Sequence, residues 1–186
     1  MKKHFWAYML LFGIAGVVVA LDQWTKFLVR TNLDFREIWS PWPWLTPYVR
    51  IVHWKNTGAA FGMFQNLNSV FIVLAILVSL AIIYYYPRVP REEWPLRIAM
   101  GFQLGGAVGN LIDRILQGYV TDYISMFSFA VFNVADASIS FGVAVLVLGV
   151  WIKERNQKDP KTNASPGSEP SPEPSGDGAV EALHED

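Results

Sequence analysis

Four long apolar runs, at 5–21, 70–86, 96–112 and 131–152, are set apart by one long mixed stretch and two shorter polar ones. Each is about long enough to cross a hydrocarbon core of roughly 30 Å as a helix. Lipid offers backbone amides no hydrogen-bond partner, so helices, which satisfy their own, are expected where open strands could not survive. The pattern predicts an all-α membrane protein: four transmembrane helices in a domain over 1–155, followed by a polar tail at 156–186. The first run, preceded by Lys2, Lys3 and His4, has the outline of a secretory signal peptide. No small-x-small pair follows it, and the chain continues directly into Asp22-Gln-Trp-Thr-Lys26, so an uncleaved first span is the expectation.

Lys2 and Lys3, then Arg88, Arg91 and Arg97, then Lys153, Arg155 and Lys158 fall on one side if both termini share it, and the positive-inside rule makes that side cytoplasmic. Arg30, Arg36, Arg50 and Lys55 are assigned to the first loop on the opposite, outer side. That loop, at 31–66, carries Trp39, Trp42, Trp44 and Trp54 among prolines and the alternating run Val49-Arg50-Ile51-Val52-His53. Tryptophan favours the headgroup zone, so a small sheet-like or amphipathic element at the outer surface is expected in place of a plain linker.

Composition agrees with the apolar pattern. The chain of 186 residues is 52% hydrophobic and 17% charged, against about 25% charged in ordinary globular domains. The formal net charge of −1 hides a division: 156–186 carries two bases and seven acids, a net of −5, which leaves +4 for the body. The tail, rich in Pro, Ser, Gly and Glu, cannot bury enough apolar area to offset the entropy of ordering and is expected to be disordered. There is no cysteine, which excludes disulfides, thiolate metal sites and a cysteine nucleophile. His4, His53 and His184 are scattered, and each is expected to be solvated or interfacial; no metal cluster or Ser-His pair emerges. A Ser-Lys peptidase would need a lysine that gives up its proton, whereas Asp22 beside Lys26 favours the charged form. No phosphate-binding glycine loop and no nucleic-acid-binding feature is present.

Scarcity makes the remaining acids informative. Of nine in the body, Asp22, Asp113, Asp122 and Asp136 lie at the outer ends of the spans, where ionisable groups are costly and tend to face a protein interior or a wet cavity. Asp22 and Lys26, four apart, can form an ion pair that either orients the first helix or meets a substrate. Asn110 and Arg114 can share a face at the end of the third span, and the guanidinium fork suits a carboxylate, phosphate or carbonyl. Gly101, Gly105 and Gly109 recur every four residues on that span, a spacing that lets helices approach closely. Asn133 and Asp136 open the fourth span, with Asp122 in the connection before it. Two carboxylates held together share a proton, leaving one as base and one as acid, which is what activation of water against a peptide carbonyl requires. Asp122 could equally cap a helix or meet Arg114.

In chain order, Asp22-Gln-Trp-Thr-Lys26, Asn56-Thr-Gly58-Ala-Ala60-Phe61-Gly62, Gly105-Gly106-Ala107-Val-Gly109-Asn110-Leu-Ile-Asp113-Arg114, Val120-Thr-Asp122-Tyr123 and Phe132-Asn133-Val-Ala135-Asp136 resemble the motifs of the lipoprotein signal peptidase (signal peptidase II) family. The resemblance covers about 20–140. It implies an aspartic endopeptidase of the bacterial inner membrane, with both termini cytoplasmic and the site at the outer face, that cuts a prolipoprotein just before its diacylglyceryl-modified cysteine. Asp122 and Asp136 would be the catalytic dyad. Asn56, Asn110, Arg114 and Asn133 would contact the substrate backbone or hold the carboxylates, and Asp113 would support the site. Asp22 and Lys26 would brace the first span, and Gly58 would permit a sharp turn over the cleft. The implied partners are the lipidated substrate and membrane lipid; the enzyme would work as a monomer without metal or cofactor. The chain departs from the family pattern in a short 122–136 connection, Thr121 where Val is usual and Tyr123 where Phe is usual. The rival reading is a small transporter or channel subunit relaying ions through its carboxylates, which places such groups near the bilayer midplane and not at span ends. A noncatalytic scaffold would leave the aspartates unexplained.

Overall fold

The structure, a computed structural model, describes residues 2–58, 67–127 and 130–158. The expectation of a disordered tail falls, from residue 159 on, outside the described residues, as does 59–66 of the outer loop. Four helices carry the fold: α1 (Lys2–Asn32), α2 (Asn68–Tyr85), α3 (Trp94–Gln117) and α4 (Val134–Lys158). Strands β1 (Ile38–Trp39) and β2 (Val49–Asn56) lie between α1 and α2, and β3 (Val120–Met126) between α3 and α4.

By length and composition Tyr8–Asn32, Asn68–Arg88 and Val134–Arg155 can each cross a membrane. The third helix is less apolar because it is the hub, packed against the other three. Its buried positions include Ala99, Met100, Gly101, Leu104, Gly105, Gly106, Gly109, Asn110 and Asp113. The lipid-facing work falls instead to residues such as Val73, Leu77 and Leu80 of α2 and Val147 and Leu148 of α4, all exposed.

The glycines set the distances between helices. A methyl group at Gly101, Gly105 or Gly109 would meet Ile14, Val18 or Asp22 respectively, at 2.9, 2.6 and 2.7 Å. The rising order on both helices makes α1 and α3 parallel. Gly106 instead abuts the Ala135 carbonyl and Ile139, while Gly142 lies against Ala99 and Gly149 against Pro95, so α3 and α4 are antiparallel. Gly106→Ala would press on the backbone of α4 at its first turn, where no side-chain rotation relieves it. An overpacking loss of about 1–3 kcal/mol is expected, measurable as a lowered Tm in detergent.

The end where α1 and α3 begin and α4 finishes is tied by an ion pair between Lys153 and Glu93 and by Arg97, which donates to the Val89 carbonyl (3.0 Å) and lies over the Tyr86 ring. At the other end the strands form an antiparallel sheet in the order β1-β2-β3. Trp54 pairs with Asp122, Lys55 with Thr121 and Asn56 with Val120, after a register shift between Ile51 and Trp54. Trp39, Trp42, Trp44 and Trp54 are exposed here, in keeping with the interfacial element expected from the sequence.

Three expectations need correction. The first helix does not end near Leu21 but runs to Asn32, because Asp22, Lys26 and Arg30 turn inward to partners on α3, and polar residues paired inside need not end a span. Arg30 therefore belongs to a helix and not to the loop. Asp122 lies on a strand, not in a plain connection, and neither caps a helix nor bonds to Arg114: two asparagines hold it. His53 is not solvated. It is 7% exposed, its Nδ1 lies 2.9 Å from the Leu33 carbonyl, and Phe35 meets its ring edge-on.

Candidate active site

The helix ends and the sheet meet around a cavity of about 610 Å³ lined by Asn56, Gly58, Asn110, Arg114, Asp122 and Asp136 with the apolar side chains of Val131, Phe132 and Ile139. Asp122 arrives on β3, held between β2 on one side and the Phe132 backbone on the other. Asp136 arrives on the first turn of α4, where its position follows from capping. The Asn133 Oδ1 accepts the Asp136 N–H (2.9 Å), and the Asp136 Oδ2 accepts the Asn133 N–H (3.2 Å). This reciprocal pair is a capping box with asparagine as cap and aspartate three residues on. The next orphan donor of that turn, the Ala135 N–H, is taken by Asp22 Oδ1 at 2.9 Å.

Amide groups hold both carboxylates. Asp122 accepts from Asn56 Nδ2 (2.9 Å) on one oxygen and from Asn133 Nδ2 (2.7 Å) on the other. Asp136 Oδ1 accepts from Asn110 Nδ2 (2.8 Å). The direction of these bonds is fixed from below. Lys26 can only donate, and its ammonium reaches three acceptors: Asp22 Oδ2 at 2.8 Å, Asp113 Oδ2 at 3.3 Å and Asn110 Oδ1 at 3.0 Å. With its oxygen turned to Lys26, Asn110 must present its NH₂ to Asp136. Asn133 Nδ2 also reaches Asn110 Oδ1, at 3.1 Å, so its own oxygen is left for the cap.

Asp122 is 1% exposed, and its carboxyl is pushed up from 3.8 to about 7, chiefly by burial and next by the charge of Asp136, against the opposing bonds from Asn56 and Asn133. It therefore keeps a proton at a pH where an ordinary aspartate has lost one. The pair has the makings of one acid and one base facing the same space. Arg114 reaches over that space from α3, donating to the Gly58 carbonyl (3.2 Å) and lying 5.0 Å from the Phe71 ring centroid. The turn at Gly58 is closed by its own N–H bonded to Asn56 Oδ1 (3.0 Å). Among the described residues no cluster of three or more His, Asp or Glu is arranged to hold a metal ion.

The structure thus brings Asn56, Gly58, Asn110, Arg114, Asn133, Asp122 and Asp136 to one cavity or its wall, with Asp22, Lys26 and Asp113 buried beneath it. Three participants escaped the sequence reading. Arg30 bonds to Asp113 and to Thr121, and continuing the four-residue spacing of Asp22 and Lys26 by one step would have found it. Gln23 bridges Asp22 and the Gly109 carbonyl, and Tyr123 donates to Thr25 at 2.7 Å; both lie inside motif stretches, whose spacing names no partner for either.

Comparison with known proteins bears on what this cavity does. Residues 14–152 match the family model described as signal peptidase (SPase) II. A lipoprotein signal peptidase of Anoxybacillus flavithermus is 38% identical over 154 residues, covering 81% of this chain and 90% of that one. One from Mesorhizobium japonicum is 40% identical over 153 residues, covering 80% and 87%. Among solved structures, a bacterial membrane enzyme determined by the in meso method at 2.3 Å is 28% identical, with a TM-score of 0.73 over 81% of this chain and 93% of that one.

Proposed function

The chain belongs to the signal peptidase II family, and from that premise we propose that it cuts prolipoproteins immediately before a diacylglyceryl-modified cysteine, using Asp122 and Asp136 to activate water. Membership makes it a bacterial membrane protease that removes signal peptides from prolipoproteins. The observation that carries the finer reading is the placement of two asparagine-held carboxylates, from a strand and from a capped helix start, on the wall of one cavity.

The signal peptide enters between helices, with its lipid chains left in the bilayer. The scissile carbonyl lies between the carboxylates, and the Arg114 guanidinium and the cavity-wall asparagines hold the substrate backbone. The ionised carboxylate takes a proton from water as it attacks, while its protonated partner gives its proton to the developing oxyanion; as the C–N bond breaks, the first carboxyl passes the water proton to the leaving amine and the partner takes one back from the tetrahedral diol, which restores the singly protonated pair. A coupled pair titrates as a unit, so the active form is the one that carries a single proton. No residue in the scheme calls for a metal or organic cofactor.

Orientation follows from charge. Arg88, Arg91, Lys153 and Arg155 cluster at the end away from the site, so that end is assigned to the cytoplasm, with both termini, and the site to the outer face of the inner membrane. The enzyme acts as a monomer, and its tail takes no part in turnover.

The test is cleavage in detergent of two synthetic peptides, one with a diacylglyceryl cysteine and one with the free thiol. Cutting of the lipidated peptide alone is expected; equal rates on both would contradict the substrate assignment. A second result concerns pH. Because Asp122 holds its proton to about 7 when folded but only to 3.8 when unfolded, its contribution to stability is full below about pH 4 and is lost as pH rises through about 7. Asp122→Asn, which cannot ionise, should flatten that dependence and melt several degrees higher than wild type at about pH 8, as followed by thermal unfolding.

A further inference from the structure

One face of α1 presents Asp22, Lys26 and Arg30 at intervals of four residues, and Asp113 of α3 completes a cluster of two carboxylates and two cations. Asp22 and Lys26 are fully buried and Asp113 is 1% exposed, so each charge depends on the others for compensation. Arg30, with 21% of its side chain exposed, closes the outer side of the cluster.

Its contacts do more than balance charge. One guanidinium nitrogen lies 3.3 Å from Asp113 Oδ1 and 3.2 Å from Thr121 Oγ1, and the Thr121 N–H donates to Asp113 Oδ2 at 2.9 Å. The three residues form a closed ring that joins α1, α3 and β3. Thr121 is fully buried and is the residue directly before Asp122. On the other side of β3, Asn56 of β2 holds the Asp122 carboxylate itself. The charged groups facing the pair are Lys26 from α1 and Asp113 and Arg114 from α3; β2 offers the neutral Asn56, and α4 contributes Asp136 and the neutral Asn133.

We propose that Arg30 is a positioning residue for the aspartate pair: through Thr121 and Asp113 it fixes where β3 places Asp122, and it keeps the buried cluster beneath the pair neutral. This role rests on the reading of Asp122 and Asp136 as the reacting groups. Arg30→Met leaves the cluster with an excess negative charge, which favours the protonated form of any carboxyl nearby. The variant loses about tenfold in kcat, and its pH profile of cleavage moves to higher pH by about half a unit. Arg30→Lys restores the charge on a side chain one bond shorter than the guanidinium nitrogen that meets Asp113 and Thr121, so its profile returns to the wild-type pH while kcat stays below wild type. Thr121→Val lowers kcat and leaves the profile where it was, since no charge has changed.

The experiment is the pH dependence of kcat for lipidated-peptide cleavage by these four proteins, with Tm measured alongside. A folded Arg30→Met protein with lowered Tm and an unmoved profile overturns the positioning role. Should Arg30→Met fail to fold, Arg30→Lys and Thr121→Val decide it, and wild-type kcat in both overturns the role equally. Failure of the wild-type protein to cut the peptide would sink the reading of the pair, and this role with it. Cutting by wild type with Arg30→Met unchanged would sink the role of Arg30 alone.

Discussion

Asp122→Asn and Asp136→Asn are each expected to lower kcat for cleavage of a lipidated prolipoprotein peptide by at least about 10³-fold, within the range that acid-base groups contribute. The substitutions suit the site. Asparagine keeps the shape, and at 122 its carbonyl oxygen can still accept one of the bonds from Asn56 and Asn133, so the fold survives while the shared proton is lost. At 136 the oxygen is needed by both Asn110 and the cap, so a small loss of Tm accompanies the loss of rate. Because the pair acts as a unit, the double variant should be little slower than either single one. Either single variant turning over at more than a tenth of the wild-type rate would contradict the assignment.

Lys26→Met carries the largest expected effect on stability. Lys26 is fully buried, 2.8 Å from Asp22 and 3.3 Å from Asp113, and its third proton orients Asn110. Removing one partner of a buried charge group leaves the remaining charge uncompensated, typically at a cost of about 3–5 kcal/mol. Methionine fills a similar volume, so the loss measures charge and hydrogen bonding more than a cavity. Adding Asp22→Asn to Lys26→Met removes one of the stranded carboxylates and should recover part of the loss. Equilibrium unfolding in mixed detergent gives the number; a change below about 1 kcal/mol would mean that Arg30 and local water compensate the carboxylates unaided.

The spans of α1, α2 and α4 were legible because lipid-facing positions must be apolar over a whole helix length, whereas α3, packed against the other three, stood out by its run of small residues. Their ends were less so. The apolar run stops near Leu21, yet α1 continues to Asn32, since a helix ends where its backbone loses partners and not where its side chains become polar. The aspartates and asparagines of the site stood out as polar residues in the wrong places, and the Asn133 to Asp136 spacing already held a capping box. Strand β3 was hidden because its pairing depends on β2, some 65 residues away in the chain, as the Asn56 to Asp122 bond illustrates. Thr121 stood out only as a departure from the family pattern, and Arg30 only as one more step in the four-residue spacing of Asp22 and Lys26; their shared role needs β3 set against α1 and α3. His53 misled because its alternating neighbours look like a surface strand, whereas a register shift turns it inward.

The most direct test of the account is mass spectrometry of one peptide carrying a diacylglyceryl cysteine, incubated just below pH 7 with wild-type protein and with folded Asp122→Asn. Wild type is expected to yield a product that begins with the lipidated cysteine, and the variant to leave the peptide intact. Cleavage by the variant at the wild-type rate, or cleavage by wild type at another bond, would contradict it.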